Sequence, residues 1–371
     1  MKINFVLLST AKGGGTRVIF EVANGLAKRG HQIKIISLDK PKHHWANLSK
    51  NIDIQYPENK YFMLIPGYGR IPFFAIFRKI FNFLKLPYDV DRIKLLAKSI
   101  PDADITIATE FPTAYAVFFN GKGKMFYYIQ HDESTFPSNP IESRFALSSY
   151  HLPLKHLVVS HWLEDLIGSR VNKHPIHIGN AVNSEIFKPS SIKEKDTVMG
   201  FIRGIEWKGD KDMLTAFALA QEKNENIKFK IVDPKKLLKK LIKDMKIELR
   251  NLEVLESHTD KDLCDFYSSS NVFVFASHLE GFGLPPLEAM ASGTPVVTTD
   301  SLGVRDFVVN DFNSLVVPIK NPEKISEAIL KILESSNLSE KLRKNGLKTA
   351  SEFNWEGVID NLEIILKNET K

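Results

Sequence analysis

Two carboxylates eight positions apart, Glu280 and Glu288, frame the stretch EGFGLPPLE. Carboxylates accept hydrogen bonds from sugar and ribose hydroxyls. Glycines at 281 and 283 strip side chains from the backbone between them, so a bulky phosphate can reach main-chain N–H groups. Upstream, Arg203 and Lys208 stand five apart in RGIEWK, a spacing that lets two cations face one diphosphate. Taken singly, each has an ordinary explanation: a solvated loop charge, a carboxylate complementing a helix dipole, a solvent-facing Arg or Lys. Taken together, the four describe a site for an anion that also carries hydroxyls.

Positioning these residues requires a parallel sheet. Val272–Ala276 predicts a buried strand. Pro285 and Pro286 open a short helix with Glu288 in its first turn, Gly293 ends it, and Pro295–Thr299 predicts the next strand. In such sheets ligands lie beyond the carboxyl ends of the strands, which is where the 280–284 loop falls, with the helix's unpaired N–H groups directed at it. Thr197–Ile202 predicts a strand that delivers Arg203 and Lys208 in the same way. Lys124–Gln130 predicts another, which delivers His131-Asp132-Glu133. His131 has the reach to bond a sugar hydroxyl, while Asp132 and Glu133 either bind an acceptor or are solvated. At the start of the chain, Lys2–Ser9, Thr16–Arg29 and His31–Ser37 read as strand, helix, strand. Gly13-Gly14-Gly15 between the first two lacks the full G-x-G-x-x-G spacing, and no acid is expected at the end of the second strand to take a ribose. A phosphate-bordering loop and a purely steric turn fit it equally.

The segment EGFGLPPLEAMASGTPVV resembles the E-x7-E signature of retaining nucleotide-sugar glycosyltransferases of the GT-B fold, in particular glycosyltransferase family 4. The resemblance implies an α/β protein of two Rossmann-like domains facing across a cleft. Residues 1–184 would form an acceptor-binding domain and 185–352 a nucleotide-sugar-binding domain, with 353–371 a helix packing back on the first. It implies that Glu280 contacts hydroxyls of the donor sugar, and that the N–H groups from Gly281 through Phe282 and Gly283 to Leu284 hold the diphosphate. Glu288 would take the ribose, Arg203 and Lys208 would neutralise the leaving group, His131 would touch the donor sugar, and Gly14 and Gly15 would border the phosphates and the acceptor. The implied activity is transfer of a sugar, with retention, from a UDP or GDP sugar to a glycan or lipid-linked glycan hydroxyl. No cofactor and no metal are implied. The alternatives are a GT-B nucleotide-sugar epimerase and a non-catalytic nucleotide-sugar-binding protein.

Several positions depart from the family pattern: Ala181 and Asn183 in the linker, Asp233-Pro234 after a strand, Leu302 for a glycine, Asp306 for a glutamate and Ser314 after Asn313. Asp260 and Asp262 have D-x-D spacing, but at an expected helix start, where acids are favoured without a metal.

With 371 residues the chain exceeds one ordinary core, and its 43% apolar and 25% charged composition excludes disorder as its main state. The lone Cys264 excludes an intrachain disulfide. A net charge of +6 favours acidic partners: a nucleotide donor or an anionic membrane surface, with nucleic acid not expected here. The Phe-rich, basic segment 61–88, with a helix expected over 72–86, reads either as a core helix with snorkelling lysines, the preferred reading, or as a helix in a membrane interface. The expected location is the cytoplasm, with the inner face of the cell membrane as the site of any peripheral contact.

Overall fold

The computed structural model describes residues 1–40, 48–57, 62–65, 69–72, 90–136, 140–190, 193–232, 235–256 and 259–370. Residues 73–86 of the helix expected over 72–86 and the Asp233-Pro234 pair lie outside these residues.

The chain divides into two α/β units. One comprises 1–159, 163–179 and 358–371, the other 160–162 and 180–357. In the first unit the strands are β1 (Lys2–Ser9), β2 (Gln32–Asp39), β3 (Asp53–Gln55), β6 (Ile105–Ala108), β7 (Lys124–Ile129), β8 (Lys155–Val158) and β9 (Ile176–His177). They form one parallel sheet in the order β3-β2-β1-β6-β7-β8-β9; a separate antiparallel pair joins β4 (Phe62–Ile65) to β5 (Gly69–Pro72). The order reverses between β1 and β6, which makes the ends of those strands the place where a ligand fits an open parallel sheet.

Helix α1 (Gly14–Lys28) covers this sheet with Val18, Ile19, Val22, Ala23 and Leu26, all buried, as its 3.6-residue apolar stripe requires. Further helices among its described residues are α2 (Val90–Ser99), α3 (Phe111–Asn120), α4 (Pro140–Ser149) and α5 (His161–Val171), the last from Leu163 onward.

The strand β2 runs two residues further than its sequence predicts and does end on an acid, Asp39. That carboxylate is occupied by the Arg92 guanidinium at 2.5 Å. The final helix, α12 (Trp355–Thr370), belongs to the first unit from Val358 onward. It is tied there by Arg29 to Asp360 and Glu363, by His31 to Glu363 at 2.8 Å, and by Lys155 to Glu369. Gly25 of α1 makes room for it, since a Cβ at 25 would fall 1.9 Å from Ile359 Cδ1.

The second unit has a parallel sheet in the order β12-β11-β10-β13-β14-β15. Its strands are β10 (Thr197–Phe201), β11 (Lys228–Val232), β12 (Leu252–Leu255), β13 (Val272–Phe275), β14 (Val296–Thr299) and β15 (Leu315–Val317). By rank in the chain this is 3-2-1-4-5-6, the doubly wound order, with its reversal between β10 and β13. Helices α6 (Asp210–Lys223), α7 (Lys235–Met245), α8 (Asp260–Ser269), α9 (Leu284–Ala291), α10 (Pro322–Glu334) and α11 (Ser336–Glu352) flank it. Phe217, Phe229, Val272, Val274, Val297, Ile325 and Ile329 lie in its core. Helix α7 stops at Met245 because Lys246 turns left-handed at φ 55. Asp262 reciprocates with Thr259 in a capping box, so this acid of the D-x-D pair serves the start of α8. Among the described residues, no helix is long and apolar enough to cross a membrane.

Candidate active site

Both loops at the reversal point of the second unit carry the residues singled out by sequence. After β10 the chain turns sharply. The main-chain N–H groups of Arg203 and Gly204 donate to the Asp210 carboxylate, at 3.0 Å and 2.6 Å to Oδ2, and Asp210 opens α6. Burial raises the Asp210 pKa against the lowering influence of those N–H groups and of the Arg203 and Lys208 charges. Gly209 sits at φ 68, where a Cβ would fall 1.9 Å from the Ala276 carbonyl oxygen; only glycine lets the first loop press against the end of β13.

The two cations part company at this turn. Lys208 Nζ reaches both carboxylate oxygens of Glu280, at 2.8 Å and 2.9 Å, and Ser277 Oγ donates to the same carboxylate at 2.6 Å. The Arg203 side chain is exposed, and its guanidinium lies 4.4 Å from the centre of the Phe201 ring, a cation–π contact. Lys208 and Glu280 are therefore brought together, whereas the Arg203 guanidinium stacks on Phe201.

After β13, Glu280 is buried, and its N–H donates to Ser301 O at 2.9 Å. Gly281, Phe282 and Gly283 follow, also buried, and Gly283 at φ 96 leads into α9. Among the described residues no protein acceptor takes the N–H of Gly281, Phe282, Gly283 or Leu284. Four such donors in succession at a helix start form an anion cradle. The Phe282 ring anchors the loop on Phe307 and Phe353, at centroid distances of 5.2 Å and 6.1 Å.

Glu288 corrects an expectation. It lies in the second turn of α9, not the first, and is only 4% exposed, accepting a bond from the Tyr267 hydroxyl at 3.2 Å. A buried carboxylate held by a phenol is no dipole-complementing surface charge.

In the first unit, Gly14 and Gly15 form the first turn of α1, and Gly13 before them is extended. None of the three needs a left-handed backbone. Space at Gly14 is open, and Gly15 lies under the Gln130 side chain, whose Nε2 donates to Gly15 O at 3.2 Å. His131, at the end of β7, is buried with its ring 4.4 Å from Phe136 and its Nδ1 3.3 Å from Asp132 O.

Its two acidic neighbours are not solvated. Asp132 takes both Arg170 guanidinium nitrogens, at 2.7 Å and 2.9 Å, and Ser134 Oγ at 2.7 Å. Burial would raise its carboxyl, but the Arg170 and Ser134 hydrogen bonds outweigh it and hold the pKa below the usual range. Glu133 accepts from Phe111 N–H at 2.6 Å and the Tyr127 hydroxyl at 2.8 Å. Burial pushes it up to about 8.

Sequence reasoning passed over Ser277, Tyr267 and Asp210. Asp210 alone had a local signal, an acid at a helix start just after the cationic turn.

Residues 182–349 match the family described as glycosyl transferases group 1. The chain is 28% identical over 205 residues to an uncharacterized glycosyltransferase, MJ1178, of Methanocaldococcus jannaschii, covering 54% of this chain and 56% of that protein. It is 29% identical over 177 residues to the capsular polysaccharide biosynthesis glycosyltransferase CapM of Staphylococcus aureus, covering 46% and 47%. It thus spans about half the length of these relatives. Among solved structures, the sucrose-phosphate synthase of Thermosynechococcus elongatus superposes with a TM-score of 0.78 at 16% identity, over 99% of this chain and 98% of that one. The glycosyl transferases group 1 match thus falls on the second unit, in a chain whose two parallel-sheet units have the GT-B fold.

Proposed function

We propose that this protein is a retaining glycosyltransferase of family 4 that moves a sugar from a nucleotide diphosphate sugar to a hydroxyl of a glycan or lipid-linked glycan. The observation that carries the reading is the row of main-chain donors from Gly281 to Leu284, set beside the Lys208–Glu280 pair. A leaving diphosphate develops negative charge as the glycosidic bond breaks. Donors fixed in advance around that charge stabilise the transition state without reorganising.

An ammonium group has three protons, and Glu280 engages Lys208 through two contacts. A further proton remains for a phosphate oxygen, so one cation can couple the sugar-binding carboxylate to the leaving group. Arg203, extended over Phe201, supplies a second positive charge at the same strand end. Glu288 accepts from the ribose, and His131, Gly14 and Gly15 keep the roles the resemblance implies. With this cradle the reaction needs no divalent ion. The leaving phosphate then helps remove the acceptor proton on the face it departs from. The name of CapM supports polysaccharide assembly as the setting. The proposed donors are UDP or GDP sugars, and any lipid-linked acceptor would be met at the inner face of the cell membrane.

The test is a panel of UDP, GDP and ADP sugars, with released nucleotide measured with and without chelator and the anomeric configuration of the product read by NMR. Release that is unaffected by chelator, with retained configuration, is expected. No turnover with any donor and acceptor, or an inverted product, would refute the reading.

A further inference from the structure

The carbonyl of Gly281 is held twice. Ser160 Oγ donates to it at 2.6 Å and Trp162 Nε1 at 2.9 Å, from residues 119 or more positions away in the chain. Ser160 is fully buried. Residues 160–162 belong to the second unit by their packing, and His161 between them is fixed to the same unit. Its main-chain N–H and its Nδ1 both lie 3.2 Å from Asp306 Oδ2.

A carbonyl oxygen has two lone pairs, and here both are engaged. The peptide joining Gly281 to Phe282 is trans, so its N–H points opposite to its C=O. Fixing the oxygen therefore fixes the direction of the Phe282 N–H, the second donor of the cradle. Bonds on the oxygen also polarise the peptide and strengthen that N–H as a donor. Gly303 closes the remaining side, since even a Cβ there would fall 2.6 Å from Phe282 N.

We infer that Ser160 and Trp162 are positioning residues for the diphosphate: by clamping the Gly281 carbonyl they hold the Phe282 N–H in the direction that receives the leaving group. This rests on the proposed glycosyltransferase reading and extends it to two residues remote in sequence from the signature motif.

The experiment compares wild type with Ser160→Ala, Trp162→Phe, the double variant and Ser160→Thr, which keeps a hydroxyl. Affinity for UDP and GDP, and for the parent nucleosides, is measured by calorimetry, and unfolding by circular dichroism. Each single substitution removes one hydrogen bond and should weaken binding of the diphosphate by roughly fivefold to tenfold, the double variant by more, with nucleoside affinity unchanged. Ser160→Thr should bind as wild type does. Should Trp162→Phe fail to fold, Ser160→Ala against Ser160→Thr carries the test alone. Unchanged diphosphate affinity in the variants, or an equal fall in nucleoside and diphosphate affinity, overturns the inference while leaving the glycosyltransferase reading intact. Wild-type protein that binds neither UDP nor GDP overturns both.

Discussion

Gly303→Ala is the sharpest perturbation of the proposed phosphate cradle. A Cβ at 303 would stand 2.6 Å from Gly281 C, 2.6 Å from Phe282 N and 2.7 Å from Glu280 O. All three are main-chain atoms of the 280–284 loop, so no rotamer change relieves the overlap. Ordinary contact begins near 3.4 Å, and the loop must withdraw by roughly 0.8 Å to reach it. Misplacing a binding group by about 1 Å costs on the order of 100-fold, or about 2.7 kcal/mol of transition-state stabilisation. Overpacking adds a stability loss of about 1–3 kcal/mol, equivalent to a fall of roughly 3–10 °C in Tm for a unit of this size.

The assay pairs nucleotide release from the preferred donor with calorimetric affinity for its nucleoside diphosphate and thermal unfolding. The preceding residue is the control. Leu302 is the centre of a γ-turn, at φ 66 and ψ −65, closed by Gly303 N–H donating to Ser301 O at 2.9 Å. That conformation costs a non-glycine residue about 1–3 kcal/mol, so Leu302→Gly trades lost side-chain burial for relieved strain and should stay within about 1 kcal/mol of wild type. Wild-type affinity and Tm in Gly303→Ala would refute the claim that this glycine sets the position of the loop.

Three further outcomes follow from the geometry. Lys208→Met and Glu280→Gln should each weaken donor binding, and a double-mutant cycle on stability should give a coupling of about 1–3 kcal/mol for this largely buried pair; strict additivity would refute the pairing. Glu133, pushed up to about 8 mainly by burial, with Phe111 N–H and the Tyr127 hydroxyl opposing and Glu110 and Asp132 reinforcing, holds its proton more tightly folded than unfolded. Its contribution to stability is therefore present at low pH and lost as the pH rises toward 8, so Glu133→Gln should gain on wild type in chemical denaturation as pH rises, and parallel pH profiles would refute this. Gly25→Ala drives a methyl into Ile359 and should cost about 1–3 kcal/mol, partly recovered by adding Ile359→Val; no recovery would show that the final helix is not the obstacle.

What the sequence reveals here, and what it hides, follows the distance over which each residue makes its bonds. The 280–284 loop was legible because a buried strand, two glycines and two prolines specify it within fifteen residues, and the strand order then places it opposite the Arg203–Lys208 turn. Glu288 was placed one turn too early in its helix, and its ordinary single reading as a surface acid overlooks that LPPLEAMA carries a single polar residue. A helix apolar all round is a buried one, and an acid inside it needs a partner such as Tyr267, which lies 21 positions upstream. For Asp132 and Glu133 the structure removes solvation, one of the two readings left open: after four fully buried strand residues, Phe126–Ile129, the chain is still inside the protein, and both acids are met there by Arg170, Tyr127 and a main-chain amide. The departure of Leu302 from a glycine pair becomes intelligible only in three dimensions. The position that tolerates a side chain, at the cost of a γ-turn, is 302, whereas the position pressed against the loop's own backbone is 303, and that one has kept its glycine. A clamp such as Ser160 and Trp162 on Gly281 leaves no trace in local pattern, because its two halves stand 119 and 121 positions apart in the sequence.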